Sequence, residues 1–156
     1  MIVRTMLRRL LWAGLGLVGF TGTAMAGLPG KTYSEGQIWE YRTRPEDKGS
    51  LLKIQKIDDG ADFPKIGPIY HVSIVGVHFT GLPLAGVLQH APFSKAALDA
   101  SVTKLSSSKI AFLDSADGIA QWQQAEGGVF TVSVAEAVSF TDQTLRSQMP
   151  AQRQGN

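Results

Sequence analysis

The stretch "IYHVSIVGVHF", residues 69–79, decides the fold. It is dominated by β-branched and aromatic side chains and contains no proline, the composition that suits a pleated, well-buried strand. It also carries two of the three histidines of the chain, His71 and His78. Successive side chains alternate across a strand, so their odd offset sends the two rings to opposite faces. A bulge at Gly76 would reverse that parity.

Working outward, "DGADFPKIGP" (59–68) reads as a loop and "LLKIQKID" (51–58) as the strand before it. "RPEDKGS" (44–50) combines proline, charge and glycine in the manner of a turn. Ahead of it, "GQIWEYRT" (36–43) alternates, with Trp39 and Tyr41 on one side and Ile38, Glu40 and Arg42 on the other. Downstream, "TGLP" (80–83) turns the chain into a weaker strand, "LAGVLQH" (84–90). The period then changes. "FSKAALDASVTKL" (93–105) sets Leu98, Val102 and Leu105 at helical spacing, with Ser94 as N-cap and Phe93 as a staple on Leu98. "DSADGIAQWQQAEGG" (114–128) predicts a shorter helix turning Ile119 and Trp122 inward and stopped by Gly127 and Gly128. "GVFTV" (128–132) reads as a last short strand. "SVAE" (133–136) is a capping box that opens a helix running to about Arg146. The expected fold is α+β: an antiparallel meander of about four strands, then two to three helices packed on one face. It forms one domain over residues 36–147.

The flanks read differently. Residues 1–26 combine Arg4, Arg8 and Arg9, an apolar run from Leu10 to Phe20, and a terminal Ala24-Met25-Ala26, the pattern of a cleaved signal peptide. The run is shorter than the roughly 20 residues a membrane-spanning helix needs, so no stable membrane anchor is expected, and export to the periplasm or beyond is. Residues 27–35 read as a loose entry segment, and residues 148–156 as a disordered polar tail. The whole chain has 15 Lys and Arg against 13 Asp and Glu. Three of the arginines and no acid lie in the leader, so the mature chain is left with twelve against thirteen. Without a basic excess there is no electrostatic basis for nucleic-acid binding. The chain has no cysteine, which removes disulfides and thiolate chemistry.

Few residues stand out as chemistry. A three-histidine metal centre is disfavoured by the parity of His71 and His78, and by the lack of any carboxylate near them in the chain. Asp58, Asp59 and Asp62 do not fit an EF-hand loop, because Phe63 stands where its glycine belongs; a solvated turn is expected there. No nucleophile motif is present, and no cofactor is implied. Arg42 and Arg44 beside Trp39 are a candidate ligand or partner surface, against the plainer reading of core aromatics with a solvated face.

Three stretches together, "GQIWEYRTRPEDKGSLLKI", "HAPFSKAALDASVTKL" and "GGVFTVSVAEAV", resemble a group of small uncharacterised bacterial proteins of about this size. The resemblance implies a free-standing domain and brings no activity, cofactor or site residue with it. His90, just ahead of the first helix start, has no structural role in the strand and helix pattern. It is expected to donate to a loop carbonyl, with a ligand at a helix N-terminus as the alternative. The function expected is that of an exported, non-catalytic domain that binds a protein partner or a small ligand through His90, Arg42, Arg44 and Trp39. The competing expectation is a small hydrolase using His90 with His71 or His78. That reading requires His90 and a second histidine or a carboxylate within about 4 Å across a concave pocket.

Overall fold

The computed structural model describes residues 30–83 and 85–149; the leader and the final residues lie outside that range. Five strands, β1 (Ile38–Tyr41), β2 (Leu51–Asp58), β3 (Ile69–Val77), β4 (Gly86–Ser94) and β5 (Val102–Leu105), form one antiparallel sheet in the order β4-β3-β2-β1-β5. Three helices accompany it: α1 (Lys95–Ser101), α2 (Ala116–Gln124) and α3 (Val134–Gln148). The fold is α+β.

The first four strands run as the meander their sequence predicts. β3 lies inside the sheet, and eight of its nine residues are buried. Its register with β4 shifts twice, and Gly76 sits at the second shift with φ +78°. A side chain there would be strained by that φ and would crowd the Ser50 backbone, whose Cα would lie 3.3 Å from the added Cβ. The irregularity moves Val77, rather than residue 76, into line with Tyr70, Val72 and Ile74 in the core.

β5 differs from the expectation of continuous helix over 93–105. The α1 helix stops at Ser101, and Val102 is buried and pairs with Tyr41 of β1. Val102 and Thr103 are β-branched and lose little by extending, and the free edge of β1 gives them backbone partners. "GVFTV" is reduced to a single parallel bridge between Phe93 and Phe130.

Ser94 pairs with Ile69, itself opposite Asp58, whereas Val102 pairs with Tyr41 at the other end of β1. In a flat sheet the four strand spacings alone would put about 19 Å between these corners. Seven-residue α1 joins them, and its rise covers only about 10 Å. The sheet is therefore strongly coiled, and α1 crosses the hollow that coiling creates. Ser94 caps α1 at the Ala97 amide. Ser101 Oγ donates to the Ala97 carbonyl and accepts the Val134 amide, which docks the first turn of α3 on α1. Ser133 and Glu136 form the expected capping box. Leu52, Ile54, Val72, Ile74, Phe93, Leu98 and Val138 are fully excluded from solvent on this side, each worth about 1.5–3 kcal/mol of burial. Tyr33, from the segment expected to be loose, belongs to the same core. Its hydroxyl donates to Asp99 at 2.7 Å, and its ring meets Trp39 and Tyr70 edge-on.

The opposite face of β3, carrying His71 and Ser73, is covered by α2. Two helices thus pack on the core face and the third lies across the sheet from them. Polar contacts hold it there: Ser115 Oγ donates to the Gln89 carbonyl at 2.6 Å and meets Ser73 Oγ at 2.7 Å. Gln55 Nε2 donates to Ser73 Oγ and to the Leu113 carbonyl, and Gln89 Nε2 to the Asp114 carbonyl.

Candidate functional site

β2 ends on Asp58, and the antiparallel register sets the end of β2 beside the start of β3, with Lys56 opposite His71. Lys56 Nζ lies 3.0 Å from Asp58 Oδ1, and His71 Nε2 lies 2.9 Å from Asp58 Oδ2. His71 in turn faces Pro92, two positions from His90 on β4, so the two imidazoles share a face. His71 Nδ1 and His90 Nε2 are 2.9 Å apart. A carboxylate only accepts, so His71 Nε2 carries a hydrogen. In the neutral pair, His71 Nδ1 then accepts from His90 Nε2–H. His71 is fully buried. Among the described residues no loop carbonyl accepts from His90, although its position suggests one; its partner is another histidine.

Helix α2 closes over this string. The two imidazoles stack with centroids 5.1 Å apart, and Trp122 meets the His71 ring edge-on at 5.0 Å and the His90 ring at 6.4 Å. Gly118 lets the helix approach: a Cβ there would lie 2.7 Å from the Cβ of His90. Burial under α2, and after it the charge that His71 can carry, push the His90 imidazole down to about 4. Burial opposes ionisation of Asp58, but the hydrogen bonds from Lys56 and His71 outweigh it and hold the carboxyl below its ordinary value.

Beside the string opens a cleft of about 1020 Å³ between the 57–63 segment and the C-terminal end of α2. Its walls include Asp58, Asp59, Asp62 and Glu126 together with Phe63 and Trp122. The two aromatic rings stack at 5.9 Å with an interplanar angle of 22°. Trp122 is fixed by its indole N–H on the Gly128 carbonyl at 2.9 Å, and by Gly127, where any Cβ would overlap the indole. Glu126, just beyond the end of α2, has φ +48°. That is the left-handed region where glycine ordinarily ends a helix, and among the described residues no other side-chain-bearing position adopts it. Asp59 Oδ1 accepts the Ala61 amide within its own turn.

The remaining residues singled out in the sequence lie elsewhere. Trp39 is in the core, its indole N–H on Gln37 Oε1. Arg42 Nη1 donates to the Ala100 carbonyl at the end of α1. Arg44 is held by Asp47 at 2.6 Å, by Asp142 at 3.5 Å and by the His78 carbonyl at 2.8 Å. The Asp47 hydrogen bond, above all, raises the Arg44 guanidinium further. Asp47 also takes the His78 amide, and Asp142 takes the amide and hydroxyl of Thr80, so this cluster ties the β1–β2 turn to α3. The His78 ring is exposed, 3.6 Å from Asp47. His90 is therefore joined by His71 and Asp58, not by Arg42, Arg44, Trp39 or His78.

The sequence reading passed over Asp58, Phe63 and Glu126 as parts of solvated turns and a helix stop. Asp58 could have been found by register, since the last residue of one hairpin strand falls near the first residues of the next. Among the described residues no group of three or more His, Asp or Glu side chains is placed to hold a metal ion, and no helix is long and apolar enough to cross a membrane. Compared with models of known families, with curated proteins and with solved structures, the chain finds no match in any of the three.

Proposed function

We propose that the protein is a small exported binding domain, non-catalytic, whose cleft between the 57–63 segment and α2 takes a small organic cation. One observation carries this reading: the charged residues lining the cleft are all carboxylates, set around a stacked Phe63–Trp122 pair. A cleft lined by one sign of charge focuses its field, and aromatic faces attract ammonium and guanidinium groups. The volume suits a metabolite-sized ligand. Asp58 is already engaged by Lys56 and His71, which leaves Asp59, Asp62 and Glu126 as counter-ions; Lys65, on the same loop, moderates the charge. The leader sequence supports export, and the resemblance to small bacterial proteins supports a free-standing domain.

The test is a matched series of benzylammonium, benzyl alcohol and benzoate, titrated at pH 7 with calorimetry or Trp122 fluorescence. Benzylammonium is expected to bind about tenfold more tightly than the alcohol, the ratio that about 1.4 kcal/mol of charge and cation–π attraction gives. Benzoate is expected to bind worst, and Asp62→Asn to narrow the gap. Equal affinities across the series, or no binding of any member, would overturn the reading.

The hydrolase alternative draws on the 2.9 Å contact of His71 and His90. The distance meets its requirement, but the setting does not. The described hydrogen bonds of the two rings go to each other and to Asp58, and His71 is sealed under α2. Of the three, only Asp58 lines the cleft. A hydrolase would show turnover of nitrophenyl esters that His90→Gln abolishes.

A further inference from the structure

The histidine pair stands between the sheet and the helix that forms one wall of the cleft. The pair can share one extra proton. A His71 imidazolium would donate Nε2–H to Asp58 and Nδ1–H to the free lone pair of His90 Nε2. It resists a second, because both facing nitrogens would then bear hydrogens across a 2.9 Å gap, with two positive charges and no anion between them. The second proton enters freely only if the rings part. They have little room to part in place: His71 is fully buried, Gly118 lies against the β-carbon of the half-buried His90, and Trp122 stands edge-on to both rings.

We propose that this pair is an acid-sensitive latch: taking up a second proton lifts α2 from the sheet, and with it Trp122 and Glu126, so that the cleft opens and releases its ligand in acid. The inference rests on the cleft being the binding site, but the latch itself can be measured without ligand. The charged groups around the pair come from every element that packs on it. β2 brings Asp58 and Lys56, β3 His71 and β4 His90, while α2 brings Asp117 next to Gly118 and, past its end, Glu126. Asp58 is the one bonded directly, and it stabilises the first proton rather than the second.

The sign follows from the depressed affinity of His90 for a proton. The closed form holds the second proton only near pH 4, whereas a freed imidazole takes it near 6.5. Between those values the open form binds one proton more than the closed form. The opening equilibrium therefore rises by about tenfold for each pH unit of acidification, or roughly 300-fold over the whole window.

Amide hydrogen exchange on the ligand-free protein between pH 7 and 4 tests this. Once the intrinsic pH dependence is removed, protection of the α2 amides, such as those of Ile119 and Ala125, is expected to fall by about tenfold per unit. The amides of Val72 and Ile74 should keep theirs. His90→Gln retains a donor at the position of Nε2 and cannot be protonated, so its α2 protection should stay flat. In the wild type, the ring ¹⁵N shifts of His90 should titrate together with the Trp122 indole resonance, a readout that does not depend on how the variant folds. A His90 that titrates without any change in α2, an equal slope in His90→Gln, or simultaneous loss of protection in β3 would each overturn the latch. Failure of benzylammonium to bind at pH 7 would overturn the ligand reading alone.

Discussion

The two faces of the sheet are built on different chemistry. On the concave side Leu52, Ile54, Val72, Ile74 and Leu98 are sealed from water and meet α1 and α3 through apolar contact. On the other side Ser73, Gln55 and Gln89 hold residues 113–115, which lead into α2, through hydrogen bonds, His71 meets Trp122 of α2 edge-on, and Ile119 is the buried apolar residue of that helix. An apolar interface is insensitive to pH and tolerates small shifts, whereas a hydrogen-bonded one depends on particular atoms and protons. The first face therefore sets global stability and the second sets local opening. Truncating the first should unfold everything together: Leu52→Ala is expected to cost about 3–4 kcal/mol. In a urea titration followed by exchange, β3 and α2 should lose protection at the same midpoint. Survival of β3 after α2 had melted would show that the apolar face does not set the stability of the whole.

The polar face should break differently. His71→Leu fills much the same space, yet strands a carboxylate oxygen of Asp58 and the Nε2–H of His90. The expected cost is about 2–3 kcal/mol. It should appear as faster exchange in α2 and the 57–63 segment, with Val72 nearly unchanged. Uniform loss across both faces would contradict the local character of the string.

The same contrast explains what was legible in the sequence. Periodicity reports burial, so the core face could be read: the meander, the Trp39 and Tyr41 face, the Ser94 cap and the Ser133–Glu136 capping box follow from patterns within a few residues. The site depends on register between strands. His71, His90 and Asp58 meet only because Pro92 faces His71 and Lys56 faces His71 from the other side, which no local pattern encodes. The bulge at Gly76 reverses the parity along β3 that would separate His71 from His78; His78 is kept apart by its place past the end of β3, beside Asp47, and parity carries no information about the neighbouring strand. The β5 segment failed for a related reason. Leu98, Val102 and Leu105 keep helical spacing, and the free edge of β1 overrides it.

Gly118→Ala sharpens the comparison at the contact itself. In a solvated helix the change would gain about 1 kcal/mol of helix propensity. Here the new Cβ would meet the Cβ of His90 at 2.7 Å, and a β-carbon fixed to a strand has no rotamer with which to yield. Overpacking costs about 1–3 kcal/mol, so a net loss of about 1 kcal/mol is expected, felt in α2 exchange and in the acid response, and not in β3. A gain would mean that α2 rides farther from the sheet than its glycine requires.

The smallest expected effect is the one that separates stability from binding. At φ +48° Glu126 bears a backbone strain that glycine would relieve, by about 1 kcal/mol. Glycine also adds freedom to the unfolded chain, about half of that gain, so Glu126→Gly should stabilise the protein by about 0.5 kcal/mol. The same substitution removes a carboxylate from the cleft and should weaken benzylammonium binding severalfold. Glu126→Gln keeps the strain and loses the charge, so it should leave stability unchanged while weakening binding to a similar degree. Weaker binding in both variants with a stability gain only in glycine would identify the carboxylate, held at an energetic cost on the cleft wall, as a binding group. If both variants bound as the wild type does, the strain at Glu126 would belong to the helix end alone, and the cation would have to rely on Asp59 and Asp62.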